Sequence, residues 1–189
     1  MNKSLDIIHE EHRALAAMLG GLNALVNGIE AGRLKPDFDL LANMIRYIDE
    51  VPEVVHHPKE DQYLFAKLRQ RSAEALPYIE QLEMEHLQGE ARIGVLRSAL
   101  EAYRKIGDGG LDGFKMALAT YLEQEWRHMN TEENHIFPLA RKYLTAEDWA
   151  EIDAAFLANA NPWAGPAGEY SALFSKIVNT APAPVGLGD

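Results

Sequence analysis

An all-α fold is what this sequence of 189 residues predicts: an antiparallel up-down four-helix bundle with a C-terminal helical extension. Three observations carry that expectation. Apolar residues recur at spacings of three and four through four long stretches. No stretch alternates with period two for long, so strands are not expected. Short breakers separate the stretches, which is how neighbouring antiparallel helices are joined.

The first helix follows from Leu5, Ile8, His12, Leu15, Leu19, Leu22, Val26 and Ile29, with Ser4 as the expected N-cap and "AGRLKPD" as the stop. A second helical segment is expected from about Phe38 to Arg69, with Leu41, Met44, Ile48 and Leu64 inward. Pro52 and Pro58 interrupt it, and each removes an amide donor and crowds the carbonyl four residues back, so a kink or bulge is expected there. Ile79, Leu82, His86, Gly89, Ile93, Leu96, Leu100 and Tyr103 make the third stripe. "GDGGLDG" is a turn, without the Lys-Ser/Thr of a phosphate-cradling loop. The fourth helix is expected from about Phe114 to Tyr143, with Phe114, Leu118, Tyr121, His128, Ile136 and Leu139 inward. The bundle domain is thus expected over residues 1–144. The extension, 145–189, opens on the capping pair Thr145 and Asp148, then runs through two short helices to a Pro/Gly-rich end. It carries no chemistry of its own and reads as a packing or partner surface, for a homodimer or another protein.

Composition narrows the function. A net charge of −11 and a pI near 5.1 argue against nucleic acid and anionic membranes as partners. No apolar run reaches the roughly 18 residues needed to span a bilayer, and the charged N-terminus is unlike a signal peptide. Without cysteine there are no disulfides, thiolate metal sites or iron–sulfur clusters. A cytoplasmic location is the simplest expectation.

Four histidines sit where leucines belong. His12 and His86 replace apolar residues within their stripes, and His56 and His128 fall on the inward faces of the other two helices. A lone inward histidine is usually a hydrogen-bonded core residue. Four that converge cannot satisfy one another, and an unpaired buried polar group costs about 1–3 kcal/mol. Glu60 and Glu132 each lie four residues after a histidine, about 400° round a helix and so on the same face. "HHPKEDQYLF" and "HMNTEENHIF" share H-x-x-x-E-[DE]-x-x-[LI]-F, so the second and fourth helices read as copies of one half-site. Lys59, Lys67, Arg69 and Arg127 are all expected to be flanking or exposed, leaving the two inward carboxylates without a cationic side chain. Divalent metal neutralises the carboxylates and accepts the imidazoles together. The predicted metal ligands are His12, His56, Glu60, His86, His128 and Glu132, too many for one zinc and suited to two ions sharing carboxylate bridges. Imidazole with carboxylate fits iron best, with manganese and zinc as competitors.

These segments resemble the hemerythrin-like proteins that carry the HHE cation-binding domain. "EEHRAL", "HHPKED", "EMEHL" and "HMNTEENHIFP" occur in that family's order, from about Ile7 to Leu139. The resemblance implies a non-haem di-iron centre that binds dioxygen, nitric oxide or peroxide, or handles iron itself. It implies end-on imidazoles at His12 and His86 and bridging carboxylates at Glu60 and Glu132, with His56 and His128 completing the two coordination spheres. Oxygen-carrying members have a further histidine where this chain has Leu82, leaving six ligands and more open positions, which favours reactivity or ion exchange. His57, Asp61, Glu90 and Glu125 are the candidates to make up the difference. His57 needs a bulge at Pro58 to turn inward, and Glu125 is a candidate ligand or an acceptor for a ligand's N–H. His9 and His135 are expected on the surface or behind the ligands, with Asp61 and Glu133 capping the charge.

Three functions follow: binding or sensing at the metal, a peroxidase-like or oxidase-type enzyme on the same metal, and an interaction module stapled by metal. Tyr47, Tyr121 and Trp126 lie near enough to relay electrons, although aromatics at helical spacing usually belong to the core. No G-x-S-x-G or H-E-x-x-H motif is present.

Overall fold

The computed structural model describes residues 2–51, 56–158 and 168–188, and among these every regular element is helical. Helix α1 spans Lys3–Glu30 and α2 Phe38–Val51. The next arm is built from α3 (His57–Lys59), a π-helical turn (Glu60–Phe65) and α4 (Ala66–Arg71). Helices α5 (Leu76–Leu87) and α6 (Gly89–Ile106) meet at Gln88. Helix α7 (Leu111–Thr131) runs into a second π turn (Glu132–Ile136) and α8 (Phe137–Tyr143). Helices α9 (Ala146–Ala158) and α10 (Gly168–Thr180) follow.

Packing closes a ring. Helix α1 lies against α2 and α7, and α6 lies against the same two. The stripes face inward as their spacing demands: Ile8, Leu19, Leu22, Met44, Ile48, Leu96, Phe114 and Leu118 are all buried. The α6–α7 turn depends on glycine twice. Gly107 has φ +77°, a left-handed conformation, and a Cβ on Gly110 would stand 2.6 Å from the Tyr103 Cα.

Two expectations about helix ends are corrected. Ser4 lies inside α1 and does not cap it; the backbone cap falls at Asn2, and the Ser4 amide donates to Asp153 Oδ1 of α9 (2.8 Å). An amide in a first helical turn has no intrahelical acceptor, so α9 supplies one from outside. The third stripe is broken at Gln88 instead of running through Gly89. Pro52 lies outside the described residues. The bulge expected near Pro58 is present as the π turn beginning at Glu60, and Glu132 begins a π turn in the same register. Thr145 and Asp148 do form the reciprocal capping box, through Thr145 N to Asp148 Oδ2 (3.0 Å) and Asp148 N to Thr145 Oγ1 (3.2 Å).

The interior divides into two apolar clusters. One gathers Leu19, Leu22, Met44, Ile48, Ile93, Leu96 and Phe114, closed on one side by Leu173 and Ile177 of α10. The other gathers Leu5, Ile8, Leu64, Phe65, Leu82, Ile136 and Phe137, closed by Ile152 and Phe156 of α9. Along each arm the histidines and glutamates fall at the changeover: His12 after Ile8, His56 to Glu60 between Ile48 and Leu64, His86 between Leu82 and Ile93, and His128 to Glu132 between Leu118 and Ile136. A polar layer is therefore held between two dry walls.

Candidate metal centre

All six residues expected as ligands are buried in this layer, and His57 joins them. Two groups have donor atoms within 4.8 Å of one another: His12, His56, Glu60 and Glu132 in one, His57, Glu60, His86 and His128 in the other. Glu60 belongs to both.

The carboxylates turn one oxygen to each group. Glu60 Oε1 is 3.2 Å from His56 Nε2 and its Oε2 3.8 Å from His86 Nε2. Glu132 Oε2 is 2.9 Å from His12 Nε2 and its Oε1 3.4 Å from His128 Nε2. All four oxygens are buried, and these approaches lack hydrogen-bond geometry. The π turns explain the aim: each adds a residue to the helical turn at the glutamate, and such turns recur at functional sites.

The far side of each ring fixes its tautomer. His12 Nδ1 faces Glu133 Oε1 (2.9 Å), His56 Nδ1 faces Glu11 Oε2 (2.7 Å), His86 Nδ1 faces Asp61 Oδ1 (2.9 Å) and His128 Nδ1 faces Glu85 Oε2 (2.9 Å). A carboxylate accepts, so each Nδ1 donates and carries the proton. The bonds run in a circle. The acid beside His12 holds His56, the acid beside Glu60 holds His86, the acid beside His86 holds His128, and the acid beside Glu132 holds His12.

That circle tests the fit of a cation. With Nδ1–H committed, the neutral rings present bare Nε2 lone pairs. Yet His12 and His56 bring their Nε2 atoms to 3.2 Å, and so do His86 and His128. Lone pairs at that separation repel unless a proton or a cation lies between them. Ligands about 2.1 Å from a common ion stand about 3 Å apart, so this donor set fits metal. Without metal, protons do the work. Burial alone would lower His56, but Glu60 and Glu11 outweigh it and raise His56 well above the usual imidazole range. His128 moves the same way, to about 9, because Glu132 and Glu85 overcome its burial. Glu60 is held well below the usual carboxylate range, its burial outweighed by His56, His86 and His57. His57 moves oppositely: burial and then the neighbouring imidazoles depress it, so it stays a neutral donor, stacked on His86 with centroids 3.9 Å apart.

Other expectations divide. Leu82 is fully buried in the α9-side cluster. His57, one of the candidates to make up the difference, lies with Glu60, His86 and His128 in the second donor group. Glu90 is exposed and stands apart. Asp61 and Glu133, expected to cap the charge, accept from the Nδ1 atoms of His86 and His12. Glu125 is buried but in neither group; its carboxyl is pushed up, chiefly by burial, with Arg92 Nη1 3.9 Å away. His9 and His135 are exposed; His9 shares Glu133 Oε1 with His12 (3.1 Å), and His135 stacks on Tyr78. Tyr47 is buried and pushed to about 12, by burial and then by Glu11. Tyr121 is buried too, while Trp126 is exposed.

One expectation is overturned. Lys59 is 5% exposed, not flanking or exposed, and Arg92 also lies largely buried beside the layer. Helix α9 covers the face that Lys59 presents, and the bundle pattern alone did not include that helix. Neither cation reaches Glu60 or Glu132 within ion-pair distance, so the need for a cation between those carboxylates stands. Glu11 and Glu85 were missed, although each immediately precedes a histidine of the layer, His12 and His86; that adjacency was the available signal.

Seven buried donor residues, one carboxylate common to both groups and an outer ring of acceptors make a layer suited to cations in a helical protein. The hemerythrin HHE cation-binding domain matches residues 3–140, and the chain belongs to that family. No curated protein and no solved structure gives a match.

Proposed function

We propose that this protein holds two non-haem iron ions in an antiparallel four-helix bundle and uses them to bind dioxygen, nitric oxide or peroxide, or to buffer or sense iron. The observation that carries the reading is the pair of four-donor groups joined through Glu60, with each end-on imidazole locked by an acid. His12, His56, Glu60 and Glu132 would hold one ion, and His57, His86, His128 and Glu60 the other, with Glu132 completing the bridge. Iron there would supply redox and Lewis-acid chemistry toward small ligands, and manganese or zinc are the competitors. The protein's own part is orientation, charge balance and exclusion of water by the two apolar clusters. Among the described residues no helix is long and apolar enough to cross a membrane.

Metal analysis of protein purified without added metal tests this, with optical spectra before and after air exposure. About two irons per chain and a spectrum that responds to air or nitric oxide are expected. A metal-free protein that takes up no divalent cation overturns the reading.

One observation favours a second reading, turnover of peroxide. Glu125, a buried carboxyl one helical turn before His128 and raised chiefly by burial, would be a candidate proton donor to a ligand at that group. Saturable, metal-dependent peroxide breakdown that falls in Glu125→Gln supports an enzyme, and a stable adduct without turnover supports binding.

A further inference from the structure

The matched region ends at residue 140, yet α9 is tied to the metal layer from beyond it. Asp148 takes both arms of a fork from Arg71 (2.8 and 3.1 Å), and Glu151 pairs with Lys67 (2.5 Å). Asp153 accepts from the Ser4 amide and hydroxyl (2.8 and 2.7 Å). These contacts fall on two elements: α1, which carries Glu11 and His12, and the His56–Arg71 arm, which carries His56, His57 and Glu60. The fourth contact is deepest. Lys59 lies between ligands in sequence, its Nζ is buried without a hydrogen-bond partner, and it stands 5.4 Å from the centroid of the Phe156 ring. Phe156 itself is fully buried.

A buried ammonium without an acceptor is costly unless something holds it there. Burial lowers the Lys59 pKa and Glu11 and Glu60 offset only part of that, while the ring face of Phe156 offers quadrupolar attraction to the charged form. If α9 lifts, water reaches the ammonium and the outer face of the ligand arm loses its packing together. The ligands on that arm are then free to move from the cation.

We propose that Lys59 is a positioning residue for the ligand arm, locked by the Phe156 ring, so that α9 governs how fast the site releases a bound cation. This rests on the metal-binding reading above. Helix α10 is the built-in contrast: it packs on α2, through Phe174 on Tyr47 among others, and α2 carries no ligand.

The test uses the full chain loaded with cobalt(II), mixed with excess EDTA, and follows loss of the cobalt absorption. Phe156→Ala and Lys59→Met are expected to release about tenfold faster, the size of effect outer supports have on metal sites. Lys59→Arg should stay near the parent, and Phe174→Ala within about twofold although it also removes packed aromatic area. Should Phe156→Ala fold poorly, Phe156→Leu keeps the apolar bulk without the ring face and should still release severalfold faster. Parent-like rates in Phe156→Leu and Lys59→Met overturn the proposal, as does equal acceleration in Phe174→Ala. A parent protein that takes up no cobalt would instead sink the metal reading itself.

Discussion

Glu11 Oε2 accepts the Nδ1 proton of His56 at 2.7 Å, across two arms of the bundle. The bond orients the ring and raises its basicity, and the same relation is repeated from Glu85 to His128. Glu11→Gln and Glu85→Gln should each weaken metal binding about 10–100-fold with little change in helix content. Competition against a chelator of known affinity, with circular dichroism alongside, measures both.

His57 belongs to only one of the two donor groups. His57→Leu should leave about one metal per chain, because only the group with His86 and His128 loses a donor. Glu60→Ala with Glu132→Ala removes both bridges and should leave almost none. Metal-to-protein ratios decide this, and a double variant that keeps two ions would rule out the bridging roles.

Acidity should act on the metal-free protein in a defined direction. His128 is raised in the fold from 6.5 to about 9, so the stabilisation it brings is full below pH 6.5 and lost as pH climbs through 9. Melting temperature without metal should fall across that window. Metal must displace that proton, so apparent affinity should rise with pH toward 9 and then level. Calorimetric titrations in buffers of different ionisation enthalpy count the protons released.

Gly110→Ala tests the frame apart from the chemistry. The added methyl would meet the Tyr103 backbone at 2.6 Å, so α6 and α7 must part to admit it. A loss of roughly 1–3 kcal/mol is expected in denaturant unfolding. The metal ratio should not change.

The stripes were legible because each arm follows a 3.6-residue period and buries one face; Ile8, Leu22, Leu96 and Phe114 fall inward as the spacing requires. The buried histidines of the polar layer were legible because histidine on an inward face violates the apolar pattern. His57 was harder, since its inward turn comes from the irregular helix around Pro58 and Glu60, where an ideal helical wheel fails. Lys59 was misplaced for a related reason: its partner Phe156 lies 97 residues further on, and no local period reports a contact that distant. Glu11 and Glu85 follow from pairing between arms, which becomes apparent only once the helices are assembled.

The two halves are not perfect copies, for the residue after His56 is His57 and the residue after His128 is Met129. One group therefore gathers two imidazoles and two carboxylates, the other three imidazoles and Glu60, with Glu132 Oε1 at its edge 3.4 Å from His128 Nε2. Harder, more highly charged ions prefer the first environment, and softer divalent ions tolerate the second. Two donor sets that differ in this way would fill stepwise as a divalent cation is added.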